Sequence, residues 1–549
     1  MQLALTPLSG NLFMTPDEPH FAAENLPGDP YAMLLHCANR WPDKDALIFD
    51  STSQRLTFSQ WLLASQTLAC ALRRRGIQPG SSVALWAENR TEWPIAQVAI
   101  SAIGAVLVPV NTHFREDDLL HVLDHSQSVA ILLSARFRSS DYLTMTLDTR
   151  NRLPILRDVI CFDDTELHAE NCWSYAALMS EEPELPFQAW PWSPRELASI
   201  QYTSGTTGRP KGAELCFEGM LMNARGTVAR LAVNAEDRWT SIIPLFHCAG
   251  CIMNVLAALA AGATYVGICA FDAERMLRLV EAERCTLLTG VPTSYLAMLE
   301  HPRRTEYDLS SLRAGTCGGA DCDPALLERC ASAFPIPGLV QVYGQTEAST
   351  LIALDSCESA QRFTTAGTPL PGMEVRVCDP DDGEVLARGE TGQVHVRGPM
   401  VMLGYHRDAL ETARCIDLDG WMQTGDLGRI TVDGRVELVG GRLRDMIIRG
   451  GENIYPVEVE NLLRAHPGIT EIAVFAMPDA FYGEVVAAAI EFGGTLSVAE
   501  VKQACSGKIA GFKHPSRIFK VSQWPMTSSG KILKRELKAQ AIAMQLEEL

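Results

Sequence analysis

"YTSGTTGRPKGAEL", residues 202–215, is the densest run of Gly, Ser, Thr and Lys in the chain. Hydroxyls at Thr203, Ser204, Thr206 and Thr207, bare amides at Gly205 and Gly208, and the cation of Lys211 can together donate many hydrogen bonds to phosphate oxygens. The run is not a Walker loop, which needs Gly, four residues, then Gly-Lys-Ser/Thr. Counting from Gly205 puts Pro210 at the second glycine and Gly212 at the hydroxyl position. An ordinary polar surface loop has the same composition, so the rest of the chain has to decide.

With 549 residues, the chain has room for more than one domain, and 47% apolar with 21% charged residues is the make-up of a globular protein. A net charge of −19 argues against a nucleic-acid partner, which needs a basic face, and against docking on anionic lipid by charge. The first residues, MQLALTPLSGNLFMTPDEPH, lack the basic start and continuous apolar stretch of a signal peptide. Sixteen cysteines in such a chain read as reduced thiols of a cytoplasmic enzyme. His247-Cys248-x-x-Cys251 has no second Cys/His pair at zinc spacing, so no zinc site is expected. The longest apolar runs, near 94–110 and 254–270, are interrupted by Pro or Gly and predict buried helices and strands, with no transmembrane segment.

Short, wholly apolar runs such as VALWA (83–87), VAILLSA (129–135), TYVGICA (264–270) and CTLLTGV (285–291) alternate with helical patterns such as AERMLRLVEAERC (273–285). That alternation predicts parallel α/β sheets covered on both faces. Past about residue 360 the texture changes to short alternating strands between Gly/Asp/Pro turns, the pattern of a small β-barrel or antiparallel sheet. After residue 445 follows a compact α+β tail, with a helix in VEVENLLRAHPGI, strands in EIAVFAMP and VVAAAIEF, and a second helix whose Ser497 and Glu500 are spaced as a capping box. GRLRDMIIRGGENIYP has the glycines and charges of a joint between domains.

Four further motifs fit one ligand, a nucleotide joined to an acid. YGQTE (343–347) leaves the apolar GLVQVY at a strand's C-terminal end, where α/β folds bind ligands. There Tyr343 offers a stacking face, Thr346 a phosphate donor and Glu347 a hard oxygen for Mg2+. TGDLG (424–428) predicts a turn presenting Asp426 to ribose hydroxyls, GRLRD (441–445) supplies Arg442, and TSSGKILKREL (527–537) carries Lys531 behind a glycine. Each motif alone is weak, since a buried Tyr, a capping Asp or a solvated Lys would serve the fold as well.

Taken together and in this order, they resemble the acyl-adenylate-forming superfamily: acyl- and aryl-CoA synthetases, peptide adenylation domains and firefly luciferase. The resemblance runs from about residue 30 to 540. It implies a large N-terminal AMP-binding domain, residues 1–443, made of two doubly wound α/β subdomains and a small β-barrel at about 360–440, followed by a small mobile α+β lid, 444–549. It implies ATP, Mg2+ and CoA as cofactors. Thr203 to Gly208 and Lys211 would hold the β- and γ-phosphates, and Gly319, Ala320, Tyr343 and Gly344 the adenine. Asp426 and Arg442 would take the ribose side, Glu347 the Mg2+, and Thr346 the departing pyrophosphate. Lys531 would serve the adenylation step; Arg444 would be the pivot of a lid rotation that brings Gly450, Gly451 and Glu452 to a pantetheine tunnel.

PLFHCAGCIMNV (244–255) resembles the family's acyl-pocket motif. His247 stands where amino-acid-activating relatives place an Asp, which argues against amino acids. Cys248, Ala249, Gly250 and Cys251, with Gly315, Thr316 and Cys317 on a second segment, are small and leave room for an acyl chain or aryl ring, although small residues also let strands pack closely on helices. The hinge and tail look most like fatty-acyl and crotonobetaine/carnitine-type CoA ligases. The expectation is therefore an ATP-dependent, AMP-forming acyl-CoA ligase acting on a medium- or long-chain fatty acid. An acyl-AMP ligase loading a carrier protein and an aryl- or carnitine-type CoA ligase remain as alternatives, and a homodimer is left open.

Overall fold

The structure, a computed structural model, describes residues 27–50, 54–165, 167, 169–203, 210–319, 322–380, 382–442, 445–449, 452–479, 482–494, 496–506, 508–509, 511–526 and 532–549. They pack as two compact units, one of residues up to Val375 together with Val396–Met422, the other of Arg376–His395 and Gln423–Leu549.

The first unit is built on two large sheets. In one, the strands Ala314–Cys317, Leu287–Gly290, Arg238–Ser241, Thr264–Gly267 and Asp45–Phe49 run parallel, side by side in that order. Gly338–Gln345 pairs parallel to Ala314–Cys317 and then turns back, antiparallel, as Thr350–Leu354. In the other sheet Leu197–Thr203, Val106–Pro109, Ser82–Trp86, Ala130–Leu133 and Asp158–Cys161 are parallel neighbours, and Lys211–Cys216 is added antiparallel to Leu197–Thr203. All four apolar runs quoted above are strands, buried on both faces as parallel sheets require.

The connecting helices follow local chemistry. Asp272 accepts the Arg275 N–H at 2.8 Å and starts the helix Ala273–Glu283, whose Met276, Leu277 and Val280 face the sheet. Arg284, left-handed at φ 47°, ends it. The acidic Asp323 has a similar use: it caps the helix Pro324–Ala333, accepting from Ala325 N at 2.9 Å. After Cys248 the chain winds as a π-helix, Ala249–Leu256, before an α-helical turn to Ala261. Such wide turns are rare in helices and concentrate at functional sites. A Cβ on Gly250 would lie 2.2 Å from the Pro244 carbonyl oxygen, so a glycine is what lets the helix start against that segment.

The second unit is α+β. A four-stranded sheet in the order Glu374–Cys378, Gly392–Arg397, Met422–Ile430 and Val436–Arg442 has most of its residues here, and the larger sheet is centred on the long hairpin Ile469–Asp479/Gly483–Phe492. Helix Val498–Cys505 opens with the capping box expected of Ser497 and Glu500. Glu460, buried on the helix Pro456–Arg464, accepts the Val474 N–H at 2.6 Å and pairs with Lys534 at 2.7 Å, tying two helices to the hairpin. One expectation is corrected here. Asp426 is not on a turn but inside the strand Met422–Ile430. Gly425 at φ 74° and a register shift between Asp426 and Gly428 make a bulge, which produces the same Gly-Asp signature without reversing the chain.

Candidate active site

The site of the first unit starts where Gly338–Gln345 ends. A 3-10 turn, Thr346–Ala348, joins it to Thr350–Leu354, and Ser349 and Thr350 take positive φ (54° and 116°) to make the reversal. A Cβ on Gly344 would fall 1.8 Å from the Thr350 carbonyl oxygen, so only glycine fits between Tyr343 and the turn. Tyr343 is buried, whereas the side chains of Thr346 and Glu347 are half-buried. Thr346 Oγ1 lies 3.5 Å from Cys248 Sγ, which joins the YGQTE segment to the π-helix.

The Glu347 carboxylate has a defined orientation. Tyr405 Oη donates to its Oε1 at 2.9 Å, and its own carbonyl accepts the Met402 N–H at 2.8 Å. Burial, and then the Glu347 charge, push the Tyr405 phenol well above its ordinary value, so it stays a donor. Among the described residues no cation pairs with Glu347. A half-buried carboxylate beside a threonine hydroxyl can offer hard oxygens to Mg2+, with substrate phosphates and water completing the coordination.

Lys211 is the second root of the phosphate-loop motif. Its strand lies antiparallel to Leu197–Thr203, with Thr203 and Lys211 opposite each other. Its ammonium pairs with Glu411 and sits 5.3 Å from the centroid of the Tyr405 ring. The Lys211 hydrogen bond holds the Glu411 carboxyl below the usual carboxylate range. Lys211, Tyr405 and Glu347 are therefore neighbours.

On the π-helix side, exposed His247 accepts the Ala249 N–H at Nδ1 (3.1 Å) and lies 3.7 Å from Cys248 Sγ. Burial opposes ionisation of the Cys248 thiol, but His247 and the hydroxyls of Thr346 and Thr350 outweigh it and bring the thiol below its ordinary value. Cys251 is turned inward instead: Gln201 Nε2 donates to its sulfur at 3.5 Å and Gln97 Nε2 to its carbonyl at 3.4 Å, beside a small cavity of about 10 Å³ that all three residues line. Burial pushes that thiol upward.

The expected residues divide as follows. His247, Cys248, Thr346 and Glu347 come together, while Lys211 is joined to Glu347 through Tyr405. Gly315 and Cys317 lie on the sheet face covered by the helices 292–299 and 324–333: a Cβ on Gly315 would meet Leu288 O at 2.6 Å, and Cys317 packs in that core with its sulfur 3.8 Å from Cys322. Their size serves close packing. The residue between them, Thr316, bonds Thr289 (2.9 Å), which also takes the π-helix Asn254 (3.0 Å), so it is Thr316 that faces the π-helix. In the second unit Asp426 is the register partner of Arg442, Glu452 that of Arg449, and Met526 bridges Ile532 across the lysine segment. Ser204, Gly205, Thr206, Thr207, Gly208, Ala320, Arg444, Gly450, Gly451 and Lys531 lie outside the described residues. Tyr405 and Glu411 were not legible in the sequence: they follow their partners by 58 and 200 residues, in a segment with no motif of its own chemistry.

Comparison with known proteins decides the assignment. Residues 34–406 match the AMP-binding enzyme family and residues 458–531 the AMP-binding enzyme C-terminal domain. The chain belongs to the AMP-binding enzyme family. This AMP-binding enzyme is 36% identical to 3-[(3aS,4S,7aS)-7a-methyl-1,5-dioxo-octahydro-1H-inden-4-yl]propanoyl:CoA ligase of Rhodococcus jostii, over 88% of its own length and 93% of that protein. It is 33% identical to the mitochondrial medium-chain acyl-CoA ligase of Danio rerio, over 92% of itself and 87% of that protein. It superposes with a TM-score of 0.80, at 28% identity, on the o-succinylbenzoate CoA synthetase of Bacillus subtilis bound to its acyl-adenylate intermediate, covering 92% of this chain and 97% of that one. The enzyme is thus of the AMP-forming acyl-CoA synthetase type.

Proposed function

We propose that this enzyme activates a medium- or long-chain fatty acid and passes the acyl group to coenzyme A. The reaction class is that of its family. A carboxylate oxygen attacks the α-phosphorus of ATP, pyrophosphate leaves, and the thiol of CoA then displaces AMP from the acyl adenylate. Both partners of the first step are anions, so the site must neutralise the α-phosphate and hold the attack in line.

The chain's residues divide that work. Thr206, Thr207 and Thr346 donate to the departing pyrophosphate, and Lys211, once released from Glu411, adds a positive charge on the same side. Glu347, oriented by Tyr405, would hold Mg2+, which when bound neutralises triphosphate charge. Tyr343, Gly344, Gly319 and Ala320 take the adenine, Asp426 and Arg442 the ribose side. Lys531 brings a cation to the carboxylate and α-phosphate oxygens in the first step. The lid, from residue 444 onward, then turns about Arg444, so that Gly450, Gly451 and Glu452 line the thiol's approach.

The observation that carries the choice of acid is the π-helix wall: AGCIMNVL, residues 249–256, has no charged side chain, and Cys248 beside it is buried next to Thr346. A largely apolar wall with no acidic side chain that begins at the reacting end suits an alkyl chain and offers no counter-charge to an ammonium. The medium-chain ligase among its relatives supports the same reading. The sixteen free cysteines fit a reducing compartment, and among the described residues no helix is long and apolar enough to cross a membrane. We therefore place the enzyme in the cytoplasm. The test is AMP and pyrophosphate release over fatty acids of graded length, aryl acids and trimethylammonium acids, with and without CoA. A CoA-dependent maximum among the fatty acids is expected. A maximum on aryl or trimethylammonium acids overturns the assignment of the acid, and acyl-AMP accumulation without CoA turnover overturns that of the acceptor.

A further inference from the structure

Both roots of the 204–209 segment are fastened to one face of one helix. Helix Glu116–Ser126 presents His121 and His125, four residues apart, with their rings stacked at 5.4 Å. His121 Nε2–H donates to the carbonyl of Pro210, just after the segment, at 3.0 Å. His125 Nδ1 lies 2.9 Å from the hydroxyl of Tyr202, just before it. From the far side comes His406, its ring 5.4 Å from that of His125 and edge-on to it, with Nδ1–H donating to Glu214 at 2.7 Å. Room for this arrangement comes from Gly212, the register partner of Tyr202: a Cβ there would sit 3.3 Å from the Tyr202 ring and 3.4 Å from His406 Cβ.

We propose that Tyr202, His121 and His125, with His406 packed against His125, are positioning residues for ATP, a clamp that holds in place Tyr202 and Pro210, which flank the phosphate-binding segment. This rests on the reading of 204–209 as the phosphate segment. None of the three imidazoles is needed to touch ATP: His121 acts on the Pro210 carbonyl, His125 on the Tyr202 hydroxyl, and His406 packs against His125. The clamp also makes ATP use acid-sensitive. Tyr202 donates to His125 only while Nδ1 carries no proton; protonated, Nδ1 becomes a donor and the phenol must turn to the Val122 carbonyl, 3.4 Å away. The groups facing His125 are His121 and Asp124 on its own helix, Tyr202 on the strand, and His406 and Arg407 beyond the second sheet edge, with Glu214 behind His406. Burial, then His406, His121 and Arg407, hold the His125 imidazole below its ordinary value; only Asp124 opposes them. His125 is therefore neutral at neutral pH and is protonated only in acid.

The experiment measures KM for ATP and kcat, with Mg2+ and a fixed fatty acid, for the full chain and for Tyr202→Phe, His125→Leu, His125→Asn and Thr206→Ala. Tyr202→Phe and His125→Leu are expected to raise KM for ATP about tenfold, the loss of one hydrogen bond, with kcat at saturating ATP and KM for the acid nearly unchanged. His125→Asn, whose Oδ1 stands in for the Nδ1 acceptor, is expected to restore the KM. In the wild type KM for ATP climbs as the pH falls below the ordinary imidazole value of 6.5, and in His125→Asn it stays flat. If Thr206→Ala raises KM for ATP while Tyr202→Phe and His125→Leu do not, the clamp is wrong and the phosphate segment stands. If Thr206→Ala also leaves KM unchanged, the segment's own assignment fails. Equal losses of kcat and thermal stability in Tyr202→Phe, which removes a single oxygen, overturn the clamp in favour of a purely structural role.

Discussion

Tyr405 Oη donates a 2.9 Å hydrogen bond to Glu347 Oε1, and the same tyrosine ring lies under the Lys211 ammonium, 5.3 Å from its centroid. One side chain thus orients the carboxylate we assign to Mg2+ and packs against the cation at the root of the phosphate segment. Tyr405→Phe keeps the ring under Lys211 and frees the carboxylate to rotate. Losing one hydrogen bond to a charged group corresponds to about 1.5–3 kcal/mol, so the Mg2+ concentration for half-maximal adenylation should rise roughly tenfold or more. A Mg2+ titration of pyrophosphate release checks this, with Mn2+ binding followed by electron paramagnetic resonance as a readout independent of turnover.

The two half-reactions should separate by mutation. Lys531→Ala is expected to lower adenylation by about 10²–10³-fold or more, as for loss of a preorganised contact in the transition state, while largely sparing thioester formation from supplied acyl-AMP. Arg444→Pro should do the reverse by stiffening the hinge. Equal loss of both half-reactions in Lys531→Ala, or full thioester formation in Arg444→Pro, contradicts the roles assigned to them.

Gly250 can be tested as the origin of the π-helix. A methyl group there meets a backbone carbonyl at 2.2 Å, which cannot yield as a flexible side chain would. Gly250→Ala should destabilise the protein by about 1–3 kcal/mol and, because Cys248 and Thr346 are joined at that helix start, raise KM for the acid. Thermal unfolding and acid-dependent kinetics report the two effects separately.

The Asp237–Arg313 pair makes stability depend on pH. Asp237, almost wholly buried, takes Arg313 Nε at 2.8 Å, the Thr286 hydroxyl at 2.7 Å and the Asn234 N–H at 2.9 Å. Burial raises its pKa, but these three donors outweigh it and leave the carboxyl below its ordinary 3.8. A carboxyl lowered on folding adds stability that is fully present above 3.8 and is lost as the pH falls through its folded value. Asp237→Asn should therefore cost about 2 kcal/mol at neutral pH, discounted from the range for buried pairs because Arg313 is partly exposed. It should also flatten the acid limb of the unfolding midpoint against pH.

Much of this protein can be worked out from the sequence. The apolar runs at 83–87, 129–135, 264–270 and 285–291 are strands: too short for helices, bounded by turns and alternating with helical patterns, they suit parallel sheets buried on both faces. The Ser497 capping box is a contact between near neighbours and needs no tertiary knowledge. The ordered motifs identified the family because each keeps its chemistry within a few consecutive residues. Tertiary structure alone decided the rest. Gly315 and Cys317 face the helix layer, and Thr316 the π-helix, because side chains alternate across a strand and sequence does not say which face meets which neighbour. A bulge and a turn share Gly-Asp chemistry, so Asp426 could be placed in a strand only once its partner strand was seen. The links Tyr405–Glu347, Lys211–Glu411 and His125–Tyr202–His406 join residues from distant parts of the chain. Such contacts exist only after two sheets and a returning segment have packed, and no local pattern in the chain encodes them.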